Sequence, residues 1–179
     1  MKTISLSLCF LLLFVPVSFA LNINDTAPLF SLRDGGNKYF HLSDYVNPPQ
    51  SPLAKGGSKG GAVKGIILNF FASYCKPCKN ELPVLNSLVD EFGKQGIKIV
   101  IVGYGEDFDK IQKMLSEIKV DKPIILSDVY SRVGAKYGVH GLPHTVLIGS
   151  DGKVKDIIRG ELPNIEKVFR EKAGKLLKN

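Results

Sequence analysis

The sequence predicts an α/β domain in which a mixed sheet carries helices on both faces. Three observations lead there. Two largely apolar runs, 63–71 and 97–102, have the length and β-branched content of strands buried on both sides. Segments with apolar residues at helical spacing follow these runs. Two alternating stretches interrupted by Asp and Gly, at 34–37 and 150–152, read as hairpins. Strand, helix and strand in succession imply parallel pairing, and the hairpins add antiparallel strands to it.

Residues 27–33 alternate, Asp34-Gly35-Gly36-Asn37 supplies a turn, and 38–40 return as the second arm of the first hairpin. A short helical turn is expected at 41–45. Residues 47–61 are rich in Pro, Gly, Ser and Lys with almost no apolar content, which predicts a surface loop rather than a second domain. The central strand is expected over 63–71. Beyond it Leu82, Leu85, Leu88, Val89 and Phe92 form the apolar stripe of a helix that Gly93 and Gly96 end. A strand at 97–102, a helix at 108–118, a short strand at 123–126 and a short helix at 130–137 ending at Gly138 come next. The strands 145–148 and 154–158 make the second hairpin, and a basic amphipathic helix over 164–177 closes the domain.

The chain of 179 residues opens with Lys2, an apolar run from Ile4 to Val15, Pro16, and then Ser18-Phe19-Ala20. This is the pattern of a secretory signal peptide cleaved after Ala20, leaving a single domain over 21–179. The run is short for a membrane span, and a retained N-terminal anchor is the alternative. An exported, periplasmic protein is therefore expected. Cys9 leaves with the signal, so the mature chain keeps two of its three cysteines, Cys75 and Cys78. Lys and Arg number 24 against 17 Asp and Glu, for a net charge of +7. The basic residues are dispersed and not interleaved with stacking aromatics, so nucleic acid is not an expected partner.

Cys75 and Cys78 stand at spacing C-x-x-C where the central strand gives way to a helix. Unpaired N–H groups and the positive dipole end of a helix stabilise a thiolate, so Cys75 is expected to be the more acidic and more exposed of the two. Pro77 has no N–H to lose and a φ suited to the first helical turn. So small a loop gains little as a structural staple, whereas opening and closing a dithiol is chemistry this spacing suits.

The assembled pattern resembles the extracytoplasmic thioredoxin-like proteins of the ResA/TlpA type. The resemblance rests on four segments: Ala27–Leu32 with Leu42–Tyr45, Phe70–Lys79, Tyr137–Pro143, and Val146–Ile148 with Asp151–Val154. It implies a thioredoxin-like fold with an added N-terminal β-hairpin. It implies Cys75 as the attacking cysteine, Cys78 as the resolving one, and a redox-active Cys75–Cys78 disulfide. It also implies a cis-Pro143, with the Leu142 backbone pairing with a substrate peptide as an added strand, and Pro83 as the kink of the active-site helix. Tyr74, Lys76 and Pro77 would border the same substrate site. Glu81, one helical turn after Cys78, matches a glutamate that moves the proton off the cysteines in such proteins. A partly buried carboxyl has a raised pKa and can take up that proton near neutral pH.

Three departures are visible. Asn69 stands where thioredoxin has a buried aspartate, so proton handling falls to Glu81 or water. Tyr74 replaces the usual tryptophan. Lys76 puts a positive charge inside the C-x-x-C, which favours the thiolate. His41, His140 and His144 lack the paired short spacing of a zinc site, so no metal or other cofactor is expected; His140 and His144 read as exposed or substrate-lining.

The function implied is a periplasmic thiol-disulfide oxidoreductase that reduces protein disulfides, for example in apocytochromes c, fed by a membrane thiol-transfer protein. The alternatives are a peroxiredoxin-type thiol peroxidase, the same chemistry run as oxidase or isomerase, and a non-catalytic module on a thioredoxin scaffold. Peroxiredoxins place Thr or Ser three residues before the reactive cysteine, where this chain has Cys75 before Cys78.

Overall fold

The computed structural model describes residues 21–46 and 63–177. The signal segment and the 47–61 loop expected from the sequence lie outside the described residues.

The first strands are β1 (Ser31–Asp34) and β2 (Tyr39–His41), followed by a 3-10 turn at Leu42–Asp44. Then come β3 (Gly65–Phe71), α1 (Lys76–Lys94), β4 (Ile97–Tyr104), α2 (Phe108–Glu117), β5 (Ile124–Asp128) and α3 (Arg132–Lys136). The chain continues through β6 (His144–Gly149), β7 (Val154–Arg159) and α4 (Ile165–Leu177). The strands form one sheet in the order β2-β1-β5-β4-β3-β6-β7. β3, β4 and β5 run parallel, and every other pairing is antiparallel.

β3 lies inside the sheet between β4 and β6, and every residue of it is buried. Its alternation sends Ile67 and Phe71 to one face and Ile66, Leu68 and Phe70 to the other. The first face is covered by α1, α2 and α4 through residues such as Leu82, Leu85, Ile111, Leu115 and Phe169. Both parallel crossovers, β3-α1-β4 and β4-α2-β5, step the same way across the sheet, so a constant handedness puts their helices on one side. Gly103 lets α2 approach: a Cβ there would lie 2.6 Å from Ile111 Cγ2. The second face is covered by the N-terminal segment, the first hairpin and α3, with Phe30, Phe40, Val133 and Tyr137 at its centre. Tyr137 is fully buried, its ring edge meets Phe30, and its hydroxyl donates to the Pro28 carbonyl at 2.8 Å.

Three local expectations are corrected. The arm expected over 27–33 is a strand only from Ser31, because Pro28 has no N–H for a ladder. The preceding residues pair instead with the β6–β7 hairpin, through Asn24 N to Val154 O and Ala27 N to Gly152 O. Gly93 does not end α1, which runs on to Lys94; Gly96, at φ 82°, takes the left-handed position beyond it. Tyr130 and Ser131 precede α3 rather than joining it, and the Tyr130 ring is exposed. Pro83 lies within the unbroken α1.

Candidate active site

β3 ends at Phe71, and Ala72 to Cys75 turn the chain into α1. Cys75 is the N-cap of that helix, and its Sγ accepts from the Cys78 backbone N–H at 3.2 Å. A thiolate at this position gains both that hydrogen bond and the helix dipole. The two cysteines are bonded to each other, with Cα atoms 5.3 Å apart. Cys75 is 7% exposed and Cys78 1%, so any attack from outside reaches Cys75 first.

The junction is held from the side by a residue the sequence reading passed over. Glu106, just beyond β4, accepts from the Ser73 backbone N–H at 2.6 Å and from the Ser73 hydroxyl at 2.7 Å. Its backbone carbonyl accepts from the Ser127 hydroxyl, and its carboxylate pairs with Lys110 at 2.6 Å. Burial pushes the Glu106 carboxyl up, but the bonds from Lys110 and Ser73 outweigh it and hold the group below the usual range. Glu106→Gln leaves an amide where two donors and a lysine need a carboxylate. We expect urea unfolding of the oxidised protein at pH 7 to show a loss of about 1–3 kcal/mol. An unchanged midpoint would mean the junction stands without this clamp. The available signal was its position at the carboxyl end of a parallel strand, where functional groups of open sheets gather.

Behind the disulfide, Glu81 is 4% exposed. Asn69, the one polar side chain of β3, donates from Nδ2 to Glu81 Oε1 at 2.7 Å and to Thr145 Oγ1 at 2.8 Å. The Thr145 hydroxyl is 3.4 Å from the same carboxylate oxygen. β3 and β6 pair with Asn69 opposite Thr145, so both side chains leave the sheet on the α1 face, toward Glu81. Burial raises the Glu81 pKa to about 7; the Thr145 and Asn69 bonds pull it down, and the Glu161 charge adds to the rise. A carboxyl poised there exchanges its proton at neutral pH. Asn69 thus occupies the aspartate position of thioredoxin as a hydrogen-bond donor to the acid, not as the acid. Thr145 was not singled out from sequence, because only the cross-strand register makes it a partner of Glu81.

In front of the disulfide lies a groove of about 470 Å³. Tyr74, Cys75, Lys76 and Pro77 form one wall, and Tyr104 with Val139 to Leu142 the other. The Leu142–Pro143 bond is cis, and Pro143 is buried where β6 begins. Tyr74 is 72% exposed and Lys76 is exposed, so the groove opens on a tyrosine and an ammonium beside Cys75. Of the residues expected at the site, Tyr74, Cys75, Lys76, Pro77 and Leu142 share the groove, Pro143 adjoins it, and Cys78 and Glu81 lie in the core behind.

Of the two histidines read as exposed or substrate-lining, His140 is so and His144 is not. His140 is exposed on the groove wall, but His144 is 1% exposed and its Nε2 has no hydrogen-bond partner. With Thr145 facing α1, strand alternation turns His144 to the opposite face, edge-on to Phe70. Burial, then the charges of Arg159 and His140, push its pKa down to about 4. His41 is far off in the first hairpin, bonded to the Ser31 hydroxyl. Among the described residues no three His, Cys, Asp or Glu side chains gather where they could hold a metal ion. Among the same residues no helix is long and apolar enough to cross a membrane.

Comparison with known proteins agrees with this arrangement. The AhpC/TSA family profile matches residues 23–157. The thiol-disulfide oxidoreductase ResA of Geobacillus thermodenitrificans is 35% identical over 143 residues, covering 80% of this chain and 72% of that protein. ResA of Bacillus subtilis is 34% identical over 136 residues, 76% of this chain and 66% of that one. In structure, a DsbE-type thiol:disulfide interchange protein from Chlorobium tepidum superposes with a TM-score of 0.73, covering 88% of this chain and 99% of the other; at 23% identity it speaks for the thioredoxin fold alone. The cysteine pair at the head of α1, on this fold and with these relatives, makes the chain a member of the AhpC/TSA family and, within it, a thiol-disulfide oxidoreductase of the ResA type.

Proposed function

We propose that this oxidoreductase works outside the cytoplasm as a reductant of protein disulfides. The observation that carries the reading is the placement of Cys75 at a groove shared with Leu142, with Glu81 buried behind the pair. In the dithiol form, the Cys75 thiolate attacks a substrate disulfide. One substrate sulfur bonds to Cys75 and the other leaves as a thiolate. Glu81 takes the Cys78 proton, and the Cys78 thiolate then attacks Cys75 Sγ, releasing the second substrate sulfur and closing the Cys75–Cys78 disulfide. Two electrons pass to the substrate, and the disulfide is reopened by an outside dithiol, which we assign to a membrane thiol-transfer protein.

Export is supported by the pattern of residues 1–20, and an uncleaved leader would make it an anchor. The reducing direction is supported by Glu81, because a proton acceptor near pH 7 serves the resolving step of an enzyme that arrives as a dithiol. The substrates proposed are exported proteins whose cysteines must be free for a later step, apocytochromes c among them. The test is the reduction potential of the Cys75–Cys78 couple, by equilibration with dithiothreitol and alkylation readout. A value of about −270 mV or lower supports a reductant; one between roughly −180 and −120 mV overturns the direction and makes disulfide formation or shuffling the task.

A further inference from the structure

The groove beside Cys75 is bounded by Leu142. A second recess of about 130 Å³ shares His140, Gly141 and Leu142 with it and is bordered further by His144 and Arg159. No aspartate or glutamate lines either the groove or the recess. The carboxylates of neighbouring segments are already engaged. Glu106 holds Ser73 and Lys110, Glu161 accepts from the Asn80 amide, and Glu81 lies in the core with Asn69. Among the described residues neither Lys76 nor Arg159 takes part in an ion pair, although both are exposed. The Nε2 of His144, which backs the recess, has no hydrogen-bond partner inside the protein. The residues that line the groove and the recess therefore include two unpaired cations, Lys76 and Arg159, and no carboxylate.

We propose that this groove selects disulfide substrates that carry an aspartate or glutamate near the reacting cysteine, with Arg159 as the residue that reads the carboxylate. The inference rests on the disulfide-reducing function proposed above and names its substrate class. The occupant is an extended peptide added as a strand along the Leu142 backbone. In an extended chain side chains alternate in direction, and two residues span roughly 7 Å. A side chain two positions from the cysteine therefore points to the same side as the cysteine. On the arm of the peptide that crosses Leu142, that side would face the recess and Arg159. A carboxylate one position away points to solvent. Lys76, on the Cys75 side of the groove, adds attraction for an acidic chain without the positional requirement.

The test uses the reduced full-length protein and short peptides with blocked termini. Each holds one cysteine as a mixed disulfide with 2-mercaptoethanol. Glu, Gln or Lys is placed two positions before the cysteine in one series and two positions after it in the other. In one of the two series, kcat/KM is expected to be about five- to tenfold higher for the glutamate peptide than for the lysine peptide at low salt. The ratio is expected to shrink toward one as salt is raised. Moving the glutamate to the adjacent position is expected to lose most of the preference. Arg159→Glu is expected to reverse the order, so that the lysine peptide reacts faster than the glutamate one. Rates independent of peptide charge in the parent protein overturn the proposal and leave disulfide reduction standing. A preference that survives Arg159→Glu overturns the assignment to Arg159. Failure to reduce any peptide or insulin removes the reducing function and this inference with it.

Discussion

Cys75→Ser is expected to abolish insulin reduction, a loss on the order of a thousandfold or more, whereas Cys78→Ser is expected to stall with substrate attached. The asymmetry comes from burial and from the helix start. Cys75 caps α1 and faces the groove, while Cys78 is enclosed in the core behind it. With Cys78 gone, the remaining thiolate attacks a substrate disulfide but nothing on the protein resolves the product. A covalent adduct should build up on non-reducing gels and disappear on adding dithiothreitol. With Cys75 gone, the buried Cys78 thiol does not reach a protein substrate and no adduct should form. Adduct formation by Cys75→Ser, or turnover by either variant, would assign the roles differently.

The second expectation concerns stability against pH, where two buried groups oppose each other. Glu81 has its pKa raised from 4.5 to about 7, so the fold favours its protonated form. The stability it contributes is full below pH 4.5 and is lost as pH rises to about 7. That shift corresponds to roughly 3 kcal/mol. His144 is moved the other way, from 6.5 to about 4, and the fold favours its neutral form. Its contribution is full above pH 6.5 and is lost as pH falls to about 4, again by roughly 3 kcal/mol. Between pH 4.5 and 6.5 the unfolded chain binds one proton more at His144 and one fewer at Glu81. The two slopes cancel, and the oxidised parent protein is expected to have a nearly flat profile there.

Single variants should uncover the slopes. Glu81→Gln is expected to give a stability that climbs by roughly 3 kcal/mol from pH 4 to 6.5. The opposite trend, a fall of similar size between pH 4.5 and 7, is expected for His144→Phe. Urea unfolding at half-unit pH intervals reads both, and parallel profiles for parent and variants would mean that these groups do not titrate as buried. Glu81→Gln should also lose any step near pH 7 in the rate of insulin reduction. Gain of stability above pH 7 together with loss of reductase rate is the signature of a group kept for chemistry at a cost to the fold.

Local chemistry made much of this protein legible. The apolar run of β3 showed itself because a strand buried on both faces has no polar alternation to hide it. α1 showed itself through Leu82, Leu85, Leu88 and Phe92, and the cysteine pair was placed at its head by the change from strand to helix period. Pro28 was the local signal that the first arm begins late, yet where residues 24–27 go instead depended on the β6–β7 turn, more than a hundred residues away.

What the sequence by itself determined is the set of groups and their local frames. A dithiol stands at a helix N-terminus, a carboxyl lies one turn after it, and strands and helices follow in an order that permits few topologies. Only the tertiary structure decided how those groups behave. Glu81 becomes an acid poised near neutrality because the packing of α1 on the sheet takes it out of water. It is held by Asn69 and Thr145 because β3 and β6 pair in one particular register. The same register sends His144 to the opposite core, and the β6–β7 pairing sets Arg159 opposite His144, at the recess beside the groove. A one-residue slip would exchange His144 and Thr145 between the two faces, and no spacing within either strand reveals which neighbour the other will have.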